Sequence, residues 1–185
     1  LLYLMARARQ EAGELNGPVV GTLMSNLGLE RALGELGIEF LRAKVADRYV
    51  LETLRERGGV LGGETSGHLL CLDKTTTGDG LICALLVLSV MASTGRPLAE
   101  LVAPMSRLPQ TLINVRTAER LDLQAPGVQA AVATAEDRLG DRGRILVRAS
   151  GTEPVIRVMV EGEDDGEVTS IAESLAGQIE SLAAA

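Results

Sequence analysis

Two short segments of the 185-residue sequence gather the groups able to do chemistry. The first is Gly62-Gly63-Glu64-Thr65-Ser66-Gly67-His68. Its glycines let a ligand approach the backbone closely, and Glu64 and Ser66 present an acceptor and a hydroxyl suited to the hydroxyls of a sugar. The second runs from Arg148 to Arg157 and reads R-A-S-G-T-E-P-V-I-R. Two strands there deliver Arg148 and Arg157 around a turn that holds Ser150, Gly151 and Thr152. Guanidinium forks, hydroxyls and a free amide together are what a phosphate dianion requires, and they act at short range even in an acidic protein. Each segment also fits a plain solvated hairpin, so residue type alone leaves both readings open. The first segment is not a P-loop, since no G-K-[ST] follows it. Nor is it a dinucleotide fingerprint, since the G-x-G-x-x-G order is missing.

His68 is the only histidine. That excludes a multi-histidine metal site and leaves at most one imidazole for acid–base work, with a structural hydrogen bond as the alternative role. The acidic run Glu161, Glu163, Asp164, Asp165 and Glu167 reads as a solvated turn opening the last helix, whose positive end favours acids. Cys71 and Cys83 are too far apart for a C-x-x-C motif and too few for a disulfide framework. They read as small hydrophobes in a reduced, cytoplasmic setting.

Several function classes drop out on composition. Hydrophobic residues make up 46% of the chain, enough for a core, yet aromatic residues make up only 2% and there is no Trp. Platforms for stacking nucleic-acid bases are therefore nearly excluded. A formal net charge of −7 repels a phosphate backbone, so no nucleic-acid partner is expected. The longest apolar run, Leu81 to Ala92, is short of the roughly 20 residues that span a bilayer, and no membrane partner is expected. The chain starts without Met and inside a helical pattern, and reads as beginning partway through a longer protein.

The elements that must position the two segments follow from periodicity and breakers. Residues 1–13 read as a helix, Val19–Met24 as a buried strand, and Asn26–Leu36 as a helix stopped by Gly37. Ile38–Val45 is a strand, Asp47 an N-cap for a helix through Arg57, and Val60-Leu61 a short strand leading into the first segment. Leu69–Leu72 returns as a strand, Asp79 caps a helix over Gly80–Ser93, and a short helix follows through Leu101. Strands alternating with helices in this way predict a parallel, three-layer α/β domain. After Pro104 the order changes to strand (Leu112–Arg116), helix (Gln129–Leu139), two strands (Arg144–Ala149 and Val155–Val160) and helix (Glu167–Leu182). That pattern predicts a small α+β domain built on an antiparallel hairpin. The expected domains are 1–104 and 105–185, with the joint between Pro104 and Pro109.

At these segments the chain resembles the α-D-phosphohexomutases, most closely their bacterial phosphoglucosamine mutase branch. The match rests on T-L-M-S-N-L-G-L (Thr22 to Leu29), K-V-A-D-R-Y-V (Lys44 to Val50), G-G-E-T-S-G-H, T-T-G-D-G (Thr76 to Gly80) and R-A-S-G-T-E-P-V-I-R. The five span almost the whole chain in the family's order. Ala46 departs from the pattern, since the family usually shows glycine there, which bears on backbone freedom beside Asp47. The resemblance implies a C-terminal fragment containing the third and fourth domains of a four-domain enzyme. These would be a three-layer α/β unit and a TATA-binding-protein-like α+β unit. It implies interconversion of glucosamine 6-phosphate and glucosamine 1-phosphate through a phosphoserine and a bisphosphate intermediate, feeding amino-sugar synthesis for cell wall. Carried over by motif, Glu64 and Ser66 take sugar hydroxyls, while His68 orders the loop or touches the ligand. Arg148, Ser150, Gly151, Thr152 and Arg157 hold the non-reacting phosphate, and Asp47 and Arg48 lie on a loop facing the same cleft. The phosphoserine and the Mg2+ loop belong to the family's first two domains. The resemblance therefore implies no catalytic or metal residue here, a fragment inactive alone, and as partners a hexosamine phosphate, the missing domains and a homodimer of the whole enzyme. The alternatives are a phosphomannomutase/phosphoglucomutase and a non-catalytic sugar-phosphate binding module.

Overall fold

Four consecutive buried residues, Val19–Thr22, form β1, the strand on which the first half of the chain is built. Burial on both faces calls for small, mostly apolar residues, which V-V-G-T supplies, with the buried Thr22 hydroxyl accepting from Met24 N. The computed structural model describes residues 1–117, 121–150 and 153–184. It divides into two units, Leu1–Arg107 and Leu108–Ala185.

In the first unit α1 (Leu2–Glu11) precedes β1, and α2 (Leu27–Glu35), β2 (Phe40–Ala43), α3 (Asp47–Arg57), β3 (Leu61–Gly63) and β4 (Leu69–Cys71) follow it. The unit closes with α4 (Gly80–Thr94) and α5 (Leu98–Val102). The sheet order is β2-β1-β3-β4. Alternation along the strands sends Val19, Leu61 and Cys71 to a core with α1, α2, α4 and α5. It sends Val20 and Leu70 to a second core under Val50 and Leu54 of α3. This gives the three layers expected. One expectation is corrected: β1 runs parallel to β2 and β3, but β4 runs antiparallel to β3. A return over Glu64–His68 is too short for the crossover that parallel strands need, so the first chemical segment is itself a hairpin turn.

The caps are local and obey the sequence in two cases. Asn26 Oδ1 accepts from Gly28 N at 3.0 Å, and Asp79 Oδ1 accepts from Leu81 N and Ile82 N at 2.9 and 3.0 Å. Asp47 is not the N-cap expected of it. Ala46 holds that position, and Asp47 is the first helical residue. Its Oδ1 accepts from the backbone N–H of Arg48 at 2.7 Å. Ala46 has φ 138° and ψ 147°, backbone territory that belongs to glycine.

The second unit comprises β5 (Gln110–Arg116), α6 (Pro126–Leu139), β6 (Gly143–Ala149), β7 (Val155–Gly162) and α7 (Asp165–Ala183). Its sheet is antiparallel throughout, in the order β5-β7-β6. Ile113, Val115, Ile145, Val147, Ile156, Val158 and Val160 pack on one face against α6 and α7. The other face carries Gln110, Leu112, Asn114 and Arg116 of β5, Arg144, Leu146 and Arg148 of β6, and Arg157, Met159 and Glu161 of β7, by the pleat. The acidic run is corrected in one member. Asp164 caps α7, accepting from Glu167 N at 2.7 Å, but Glu161 is fully buried. It belongs to β7, where Arg144 pairs with it and Gln110 Nε2 donates to it at 3.1 Å.

Candidate sugar loop and phosphate turn

Because β1, β2 and β3 run the same way, their carboxyl ends share one edge of the first sheet. The segments 23–26, 44–48 and 64–68 leave from that edge. The chain passes from β1 to β2 on one side, while β3 lies on the other. A crevice at such a reversal, outside the carboxyl ends of the strands, is where open α/β sheets hold ligands.

The hairpin over Glu64–His68 closes on itself. Glu64 N donates to His68 O at 3.0 Å and Gly67 N to Glu64 O at 3.1 Å, with Gly67 at φ +99° supplying the left-handed bend. The side chains form one unit: His68 Nδ1 lies 2.9 Å from Ser66 Oγ and 3.0 Å from Glu64 Oε1. A single ring nitrogen serves one of these partners at a time. As N–H it donates to Glu64, and as a bare nitrogen it accepts from the Ser66 hydroxyl. The Glu64 side chain is 10% exposed and that of His68 60%. The carboxylate is thus sheltered and aimed, while the imidazole faces solvent.

In the first turn of α3, Arg48 stacks on Tyr49, with its Cζ 4.5 Å from the ring centroid, and donates to the Tyr49 hydroxyl at 2.7 Å. Lys44 Nζ lies 5.7 Å from the same ring. Tyr49 went unassigned in the sequence, although a tyrosine among so few aromatics and next to cations was the available signal. Arg42 stiffens the neighbouring segment by donating to Thr22 O and Ser25 O at 3.1 and 2.6 Å and pairing with Glu30 at 2.7 Å.

In the second unit Arg148 and Arg157 stand directly opposite each other across β6 and β7. Directly opposed residues of an antiparallel pair share a sheet face. Among the described residues neither arginine has a carboxylate partner, and the buried Nε of Arg148 has no hydrogen-bond partner. Burial, and then the facing Arg157, lower the pKa of the Arg148 guanidinium below its ordinary value. The turn is anchored at its base, where Ser150 N donates to Val155 O and Val155 N to Glu153 O, both at 2.8 Å. Gly151 and Thr152 lie outside the described residues. Asn114 flanks Arg157 on its other side, a neighbour forty residues away that no local motif indicates. A groove of about 570 Å³ between α6 and α7, lined by Gly127, Ala130, Thr134, Ser174, Gly177 and Ser181 among others, lies on the helical face. It has no charged lining and no part in this arrangement.

Each unit thus carries one polar arrangement: a sheltered carboxylate in a hairpin in the first, and two facing guanidiniums with no carboxylate partner among the described residues in the second. Comparison with known proteins gives the family. Residues 1–108 match the family model described as phosphoglucomutase/phosphomannomutase, alpha/beta/alpha domain III, and residues 112–178 match that of the same family's C-terminal domain. The chain belongs to the phosphoglucomutase/phosphomannomutase family. Among its relatives, the phosphoglucosamine mutase of Alkalilimnicola ehrlichii is 59% identical over 180 residues, 97% of this chain and 40% of that protein. That of Halorhodospira halophila is 57% identical over 184 residues, 99% of this chain and 40% of that protein. The chain therefore spans about 40% of the length of these relatives. A solved N-acetylphosphoglucosamine mutase from Aspergillus fumigatus superposes with a TM-score of 0.84 at 20% identity, covering 98% of this chain and 43% of that one, a likeness of fold.

The resemblance brings Mg2+ with it, and the side chains can be tested against that ion. Among the described residues no three His, Cys, Asp or Glu side chains are gathered to hold a metal. Mg2+ prefers carboxylate oxygens in near-octahedral geometry. The described residues do not gather such a set. Among those residues no helix is long and apolar enough to cross a membrane.

Proposed function

We propose that this chain supplies sugar and phosphate recognition to a phosphoglucosamine mutase that interconverts glucosamine 6-phosphate and glucosamine 1-phosphate in the cytoplasm. Phosphoserine gives its phosphoryl group to the free hydroxyl of the sugar phosphate. The resulting bisphosphate returns its other phosphoryl group to the serine. Between the two transfers the intermediate must present its opposite end, so the protein has to grip the sugar and the idle phosphate equally well in both orientations. Glu64 and Ser66 take sugar hydroxyls, and His68 orients the Glu64 carboxylate. Asp47 and Arg48 line the neighbouring segment, with Arg48 oriented by Tyr49. Arg148 and Arg157, with Ser150, Gly151 and Thr152, hold the phosphate that does not react. The nucleophile and metal belong to other domains, so the chain alone does not turn over substrate.

The carrying observation is the Arg148–Arg157 pair, two like charges face to face with no carboxylate partner among the described residues. Such a pair costs stability unless an anion sits against it. The test is turnover by the full-length protein on the phosphates of glucosamine, mannose and glucose. A clear preference for glucosamine phosphates is expected. A preference for mannose or glucose phosphates would move the reading to a phosphomannomutase/phosphoglucomutase, and no turnover of any of them would end it.

A further inference from the structure

We propose that Arg116, with Asn114 beside it, completes the phosphate site from β5, so that three guanidiniums on three strands hold one phosphate monoester. The inference rests on the reading of Arg148 and Arg157 as phosphate ligands and adds two residues that no motif marks.

The register places them. Asn114, Arg157 and Arg148 form one row across the sheet, and Arg116 stands opposite Val155 in the next row toward the turn. Ile113 and Val115 belong to the helical core, so the pleat puts Asn114 and Arg116 on the opposite face with the two arginines. Arg116 is then the diagonal neighbour of Arg157, about 7–8 Å away between backbones and within reach of long side chains. Both β5 residues are exposed. Thr117 N donates to Pro154 O at 3.2 Å, which ties the end of β5 to the turn and fixes Arg116 relative to it.

The same sheet face contains its own control. At its far end Arg144 meets the buried carboxylate of Glu161, and Gln110 completes that row. A structural arginine on this face is thus neutralised from within the sheet. At the near end Arg116, Arg148 and Arg157 have no acid among the described residues. Three cations with no counter-charge among the described residues at one end, against one cation paired at the other, mark the near end as the place where the anion comes from outside. A phosphate monoester dianion has three terminal oxygens for three planar forks, and the Asn114 amide can donate to an oxygen or to a neighbouring sugar hydroxyl.

The test is titration of the 15N-labelled chain with inorganic phosphate, followed at the arginine side-chain Nε–Hε resonances. Arg116, Arg148 and Arg157 should all shift on one binding curve, and Arg116→Gln should weaken phosphate by about tenfold. Arg116→Lys should recover little of that loss, because an ammonium lacks the fork. If Arg116→Gln perturbs the backbone amide spectrum, Arg116→Lys serves as the test variant. Should Arg148→Gln abolish binding while Arg116 neither shifts nor alters affinity when replaced, β5 has no role and the two-arginine reading stands. Should none of the three arginines respond, the phosphate site itself is absent and both readings fall.

Discussion

His68 Nδ1 lies 3.0 Å from Glu64 Oε1 across the tip of the β3–β4 hairpin, so the hairpin's own imidazole fixes the carboxylate's position. In the full-length protein Glu64→Ala should remove a charge-assisted hydrogen bond of about 1.5–3 kcal/mol. That corresponds to roughly a ten- to hundredfold loss in kcat/KM. His68→Ala should cause a smaller loss, because the carboxylate remains but loses its positioning partner. Steady-state kinetics on glucosamine 6-phosphate check both. An unchanged kcat/KM for Glu64→Ala would reduce the hairpin to a plain turn.

Ala46 stores strain immediately before the segment carrying Asp47 and Arg48. At φ 138° a residue with a Cβ costs about 1–3 kcal/mol, and glycine relieves most of it at the expense of unfolded-state entropy. Ala46→Gly should raise stability by about 1 kcal/mol net. Urea unfolding monitored by circular dichroism measures it, and a destabilised Ala46→Gly would show that the backbone there is relaxed.

Asp73 predicts an acid-side loss of stability in the first unit. Burial alone would raise its carboxyl pKa, but hydrogen bonds from Arg9 at 2.9 Å and Lys74 at 3.2 Å outweigh that and lower it. A pKa lower in the folded state than in the unfolded state means the ionised carboxylate stabilises the fold. That contribution is complete above the ordinary carboxylate value of about 4 and disappears as pH falls through the lower folded value. Thermal melts of the wild type and Asp73→Asn should differ at pH 7 and converge toward pH 2. A constant difference would remove Asp73 from the account.

Cys71 is fully buried, and burial together with the neighbouring Cys83 pushes its thiol up to about 12. The thiolate, the reactive form, is therefore scarce at neutral pH. Neither cysteine should react with a thiol reagent at pH 8 until denaturant is added, and mass spectrometry of the alkylated protein reads this directly. Labelling of Cys71 in the native state would place it in an open environment.

Much of this protein is written locally. Asn26 and Asp79 cap helices because a short polar side chain before an apolar run has its own backbone N–H groups within reach. The apolar run of β1 announces a strand covered on both faces. The residue types of the two chemical segments could also be read directly, since hydroxyls, a carboxylate and guanidinium forks keep their chemistry wherever the chain places them.

Other features belong to the tertiary structure alone. A three-residue apolar strand such as Leu69–Cys71 carries no direction, and only its pairing with β3 makes it antiparallel. Glu161 reads as one more solvated acid until β6 and β5 bring Arg144 and Gln110 to it and remove it from water. Arg148 and Arg157 face each other because of the β6–β7 register, and a shift of one residue would send one of them to the helical face. Arg116 and Asn114 join them only through β7, which stands between β5 and β6 and brings together charges that lie more than thirty residues apart in the chain. Side-chain chemistry is a property of each residue and survives in a linear sequence. Which charges meet, and which stay unpaired, depends on strand order and register, and those exist only once the chain has folded.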